Sequence, residues 1–217
     1  MGQRTPQQQR GIARRNALLD AAAASFAARG YGAAPLSEIA RDAGGTLGGL
    51  VFYFPHKDDL ARAVLAEQHE RTEHALAGAF KQDSPIADAI RGSSVLADLL
   101  RSDPMVRASV RLCAEEVDFH DAETALQRTW TVRLGVHFAQ AAAAGQLRAP
   151  YEPEALARFV SAAFFGVCAS SAGADQDTAL GTLWELILDG AFEADRSDRL
   201  HRLVRDVFSP PQPPQAD

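Results

Sequence analysis

The sequence has little cysteine, no long apolar run and no surplus of positive charge, and each shortage argues against a class of function. Two cysteines, Cys113 and Cys168, occur in 217 residues, without CxxC spacing or a neighbouring histidine cluster. That pattern points away from a disulfide scaffold or a metal site, and predicts two small buried hydrophobes in a reducing compartment. No apolar stretch reaches the roughly 20 residues a membrane-spanning helix needs, and the opening MGQRTPQQQRG has no apolar core of a signal peptide. A cytoplasmic protein with no membrane partner is expected. The formal net charge is −6, so nucleic-acid binding would require a local basic patch. Runs that alternate apolar and polar residues over strand length are also missing, which predicts an all-α fold.

What is present is helical in character. Apolar residues recur at helical spacing from Gly11 to Arg29, and Gly30 stops the run. Pro35 favours a helix start, and LSEIARDA (36–43) reads as a short helix ended by Gly44-Gly45. Thr46 can cap another over 47–53 before Pro55 breaks the chain. A long helix over 56–80 follows, with Asp58 and Asp59 in its dipole-favoured first turn. Further helices are expected over 85–101, 104–116, 122–144, 154–171, 179–194 and 196–208, with a Gly/Asp loop before 179. Residues 1–10 read as a flexible arm, and the proline-rich 209–217 as a disordered tail.

The segment RDAGGTLGGLVFYFPHKDDL (41–60) crowds four glycines into six positions. It is not a phosphate cradle: Gly44 and Gly49 have P-loop spacing, but Leu50 stands where the lysine belongs and no strand precedes it. Two short helices joined by a glycine turn instead have the proportions of a helix-turn-helix, whose second helix presents its first residues to base edges. Leu36, Ile39, Ala40 and Ala43 form the inward stripe of the first, while Phe52, Phe54 and Leu60 are expected to pin the second to the long helix.

The residues Arg29-Gly30-Tyr31, Ile39-Ala40, Ala43-Gly44, Thr46, Gly48, Leu50, Tyr53, Phe54, Lys57 and Leu60 together resemble the DNA-binding domain of the TetR family of transcriptional repressors. The resemblance implies a three-helix DNA-binding domain over 11–56, and a helical ligand-binding and dimerisation domain over 57–208. It implies operator contacts from Arg10, Arg14, Arg15, Ser37, Thr46, Leu47, Gly48, Gly49, Val51, Tyr53 and Lys57. Gln68, Arg111-Leu112, Trp130 and Trp184 further resemble the γ-butyrolactone (and related furan or butenolide) autoregulator receptors of actinomycetes. That narrower likeness implies a small, largely apolar effector met by Gln68, Trp130, Ser161, Phe164 and Phe165, and a homodimer on palindromic operator DNA. No cofactor, metal or catalytic residue is implied.

The reading helix departs from the family pattern: Leu47 replaces a usual lysine, Val51 a usual tyrosine, and Gly49 an alanine or threonine. Phosphate contacts supply much of the affinity for DNA, and what remains is Lys57 and the arginines before Asp20. Two outcomes stay open. Leu47, Val51 and Thr46 read thymine methyl groups, or the chain is a ligand-binding or catalytic protein on a repressor scaffold that has lost DNA binding. A plain helical interaction module would leave the 44–54 segment without a purpose. On chemistry alone Gln68 is a surface residue. Phe164 and Phe165 cannot face one way, His120 and His137 are structural, and Glu115-Glu116 are solvated rather than an acid/base pair.

Overall fold

The computed structural model describes residues 5–81, 84–115, 125–193 and 197–208. Ten helices occupy them: α1 Pro6–Ala33, α2 Leu36–Asp42, α3 Leu47–Tyr53, α4 Lys57–Ala79, α5 Pro85–Ser102, α6 Pro104–Glu115, α7 Leu126–Ala143, α8 Pro153–Ser170, α9 Gly173–Ala191 and α10 Ser197–Phe208. Strands are absent among the described residues, where the only ladder element is an isolated bridge between Leu147 and Phe192. No helix among them is long and apolar enough to cross a membrane. The expected tail at 209–217, His120 and Glu116 lie outside the described residues.

Two helices begin earlier than local pattern suggested. Residues 6–10, expected to belong to a flexible arm, are the first turn of α1, because Thr5 builds a capping box. Its Oγ1 accepts from the Gln8 N–H at 3.4 Å, the Gln8 Oε1 accepts from the Thr5 N–H at 3.0 Å, and Pro6 occupies the first helical position. The Gly/Asp stretch before 179, expected as a loop, is the start of α9. There Asp177 is clamped by both guanidinium nitrogens of Arg101 on α5, at 2.7 and 3.1 Å. That tertiary contact supports a turn whose sequence looks unpromising.

The chain forms two compact units. The first comprises Met1–Thr72 with Ser102–Leu126, and the second Glu73–Arg101 with Gln127–Asp217. This division differs from the boundary at 56/57 drawn from sequence. In the first unit Met105, Ala108 and Leu112 of α6 join Leu18, Leu19, Ala22 and Phe26 of α1, Ile39 and Ala40 of α2, Leu50 and Phe54 around α3, and Leu60 and Val64 of α4 in one core. Burial of this apolar surface holds the short helices α2 and α3 in place, since seven residues cannot sustain a helix alone. In the second unit α9 packs against both α8 and α10. The helix α4 is unbroken through Thr72 and Glu73, where the units divide.

Candidate functional site

The turn between α2 and α3 is built from backbone hydrogen bonds. The Gly45 N–H donates to Ala40 O and the Gly44 N–H to Arg41 O, both at 2.8 Å, which is a Schellman closure. Gly44 takes φ +71°, the left-handed region where glycine carries no Cβ penalty. Thr46 then caps α3, its Oγ1 accepting from the Gly49 N–H at 3.2 Å. Leu50 and Phe54 point into the core, so Leu47 (46% exposed) and Val51 (42% exposed) lie outward, one helical turn apart. Phe52, expected to pin α3 against α4, is instead 81% exposed. Two residues on from Leu50 is about 200° around a helix, so both cannot face the core.

The other residues expected to contact DNA fall into two groups. Ser37, Thr46, Gly48 and Arg10 are exposed, and Gly49 and Tyr53 half-buried. Arg14, Arg15 and Lys57 are engaged within their own unit. Arg14 donates to Ala43 O at 2.9 Å and to Gly44 O at 3.2 Å. The Arg15 guanidinium lies 5.4 Å from the Phe54 ring centroid. Lys57 sits 4.7 Å from the centroid of Tyr31, with its Nζ 3.4 Å from Gly32 O. These contacts orient the cations; they do not by themselves remove them from solvent.

The residues expected to meet an effector are distributed over both units. Gln68, in the first, is buried rather than at the surface: its Nε2 donates to Thr72 Oγ1 at 2.9 Å, and its buried Oε1 has no partner among the described residues. An unpaired buried amide oxygen costs free energy unless something else donates to it. Trp130, Ser161, Phe164 and Phe165 belong to the second unit. Trp130 is 2% exposed and its indole Nε1 is buried without a partner among the described residues, as is that of Trp184. The Trp130 and Phe164 rings lie 6.3 Å apart, and Ser161 shares a 2.7 Å hydrogen bond with Thr131. Phe164 is buried and Phe165 half-buried, their rings edge to face at 5.3 Å.

Several contributors were missed by pattern reading. Gly92 of α5 admits the Trp130 ring: a Cβ there would stand 2.8 Å from Trp130 Cη2 and 3.1 Å from Phe80 Cε1. A glycine inside a helical run was the available signal. Gly92→Ala is expected to cost about 1–3 kcal/mol through overpacking, read as a lower melting temperature in thermal unfolding. His137 packs on Phe80 at 5.3 Å with its Nδ1 unpartnered among the described residues, and burial holds its pKa below the ordinary value of 6.5. Both cysteines are free and half-buried, not fully buried as expected; burial raises the pKa of Cys113 and pushes Cys168 up to about 12, so neither is a reactive thiolate. Glu115 is exposed but bound, accepting from Arg111 and from the Tyr31 N–H. Among the described residues no three His, Cys, Asp or Glu side chains gather as metal ligands.

A family profile of bacterial regulatory proteins, tetR family, matches residues 18–64. The A-factor receptor protein of Streptomyces griseus is 30% identical over 195 residues, covering 83% of this chain and 64% of the receptor. The chain therefore spans slightly under two thirds of that relative's length. A solved structure described as the molecular basis for control of antibiotic production by bacterial hormones is 33% identical, over 88% of this chain and 100% of its own, with a TM-score of 0.72. A solved γ-butyrolactone receptor described as ArpA-like covers 92% of this chain and 98% of its own with a TM-score of 0.80; its 24% identity speaks to fold alone.

Proposed function

The chain belongs to the TetR family of bacterial regulatory proteins, and on that premise we propose that it is a homodimeric repressor that binds palindromic operator DNA and is released by a small, largely apolar effector of the γ-butyrolactone type. One observation carries the DNA half: a capped α3 whose inner face is anchored by Leu50 while Leu47, Gly48 and Val51 stand in solvent. The apolar outer face suits the thymine methyl group, the one apolar feature at the major-groove edge of unmodified DNA. The buried Trp130 indole N–H, which has no acceptor among the described residues, supports the effector half, since a lactone carbonyl is an acceptor for it.

In this reading α4, continuous across the division between the units, carries the signal. Operator and effector then weaken each other's binding by the same factor. A mobility-shift titration with DNA from its own promoter region, with and without a γ-butyrolactone, tests both parts. A shift that the lactone reverses is the expected result. No shift at low salt with any candidate operator rejects the proposal.

A second reading, a ligand-binding protein with weakened DNA affinity, is favoured by one feature: α3 carries no charged side chain. The two separate on Leu47→Lys. If the parent binds weakly for want of a phosphate contact, the lysine raises operator affinity and steepens the slope of log affinity against log salt by about 0.9. A parent that already binds at nanomolar strength removes the second reading.

The dimer rests on Phe159 of α8 and Leu186 of α9, which are 62% and 66% exposed. Large apolar side chains left in solvent on two packed helices favour a covering partner, here a second copy. Phe159→Glu combined with Leu186→Glu is expected to convert dimer to monomer, read by sedimentation equilibrium, and to weaken operator binding with it.

A further inference from the structure

We propose that Arg14 is a positioning residue that locks the α2–α3 turn, rather than a phosphate contact, and that Gly45 is glycine to make room for it. The proposal rests on the operator-binding reading above and concerns how the reading helix is aimed.

The two neighbouring glycines of the turn serve different needs. Gly44 has a positive φ, so its backbone requires glycine; Gly45 does not. At Gly45 the requirement is space. An ideal Cβ there would lie 1.4 Å from Arg14 Nη2, 2.5 Å from Cζ and 3.3 Å from Nη1, so the guanidinium fills the volume of the missing side chain. From that seat Arg14 Nη1 donates to the carbonyls of Ala43 and Gly44. Both lie at the carboxyl end of α2, where the helix dipole favours a cation. The next residue, Thr46, is the cap that starts α3. A guanidinium seated across three consecutive residues ahead of the cap, its Nη1 on two carbonyls and its Nη2 over Gly45, sets the direction in which α3 leaves the turn. With its Nη1 committed to these two carbonyls, the guanidinium is held to the turn, and on this proposal that, not a phosphate, is its task.

The test is a double-mutant cycle on the full chain: Arg14→Ala, Gly45→Ala and both together. Operator affinity is measured by fluorescence anisotropy at several salt concentrations, at a temperature where every variant is folded. Arg14→Ala is expected to weaken binding roughly tenfold, the scale of charge-assisted hydrogen bonds lost, with the salt slope unchanged. Gly45→Ala expels the guanidinium and is expected to weaken binding similarly in the parent, yet add little once Arg14 is gone. Arg14→Lys keeps the charge without the planar guanidinium that fills the space at Gly45, and is expected to behave like Arg14→Ala. A salt slope reduced by about 0.9 in Arg14→Ala marks a direct phosphate contact and overturns the proposal. Near-parental binding by Arg14→Lys, or additive effects of the two alanines, overturns it as well. Should the parent bind no operator, the repressor reading fails on its own; the same cycle read in melting temperatures then decides the latch, coupling supporting it and additivity sinking it.

Discussion

Under the proposed function, Trp130→Phe is expected to leave the protein folded and able to bind its operator, and to raise the effector concentration needed for release about tenfold, the worth of one buried hydrogen bond. The reason is specific to one atom. The Trp130 Nε1 is buried with no partner among the described residues, while the ring rests on Phe164 and in the space left by Gly92. Phenylalanine keeps much of the apolar surface, removes the donor and gives up the outer ring atoms that fill the space beside Gly92, a packing loss that thermal unfolding reads separately. Trp130→Ala is a harsher change: emptying a site this buried costs about 3–5 kcal/mol of stability, so loss of response there would confound folding with binding. The pair is read together, by effector titration of the operator complex and by thermal unfolding. An unchanged effector response in Trp130→Phe would show that the indole N–H does not meet the effector.

Gly30→Ala is expected to lower stability by about 2 kcal/mol, within the range for a residue held in a sparsely populated backbone region, which in a chain of this size corresponds to roughly 4–8 °C in melting temperature. Gly30 interrupts α1 at φ 80°, ψ 175°, a conformation open essentially to glycine alone. A Cβ there would also stand 2.1 Å from Glu115 Oε2. That carboxylate is exposed and flexible enough to swing away, so the collision itself is cheap. Its departure loosens the acceptor for the Tyr31 N–H, whose ring faces Lys57 and whose hydroxyl donates to Asp58 at the start of α4. Operator affinity is therefore expected to fall along with stability. A melting temperature within a degree of the parent would mean that the break in α1 is not held as described.

How much of this was legible beforehand differs from residue to residue. The helix-turn-helix was readable because its signals are local: the glycine that ends α2, the threonine that caps α3, and the proline behind it all act within a few residues. Leu50 inward and Leu47 outward follow from the same periodicity. Arg14 was expected to contact DNA, and its hydrogen bonds to Ala43 and Gly44 were not legible because those partners are 29 and 30 residues away. On chemistry alone Gln68 belonged at the surface, while the resemblance made it an effector contact; the structure buries it. Phe52 was expected to help pin α3 to α4, and α3 turns it to solvent.

Short-range chemistry, meaning caps, breakers and apolar spacing, was enough to specify an all-helical chain and the position of its reading helix, because such effects act within one or two turns. Three things depended on contacts between distant segments: the return of α6 to pack on α1, the Arg14 guanidinium in the space beside Gly45, and the indole of Trp130 over Gly92. A burial or hydrogen bond across such a separation leaves no periodic trace in either partner, and it appears only once the folded core has brought the two together.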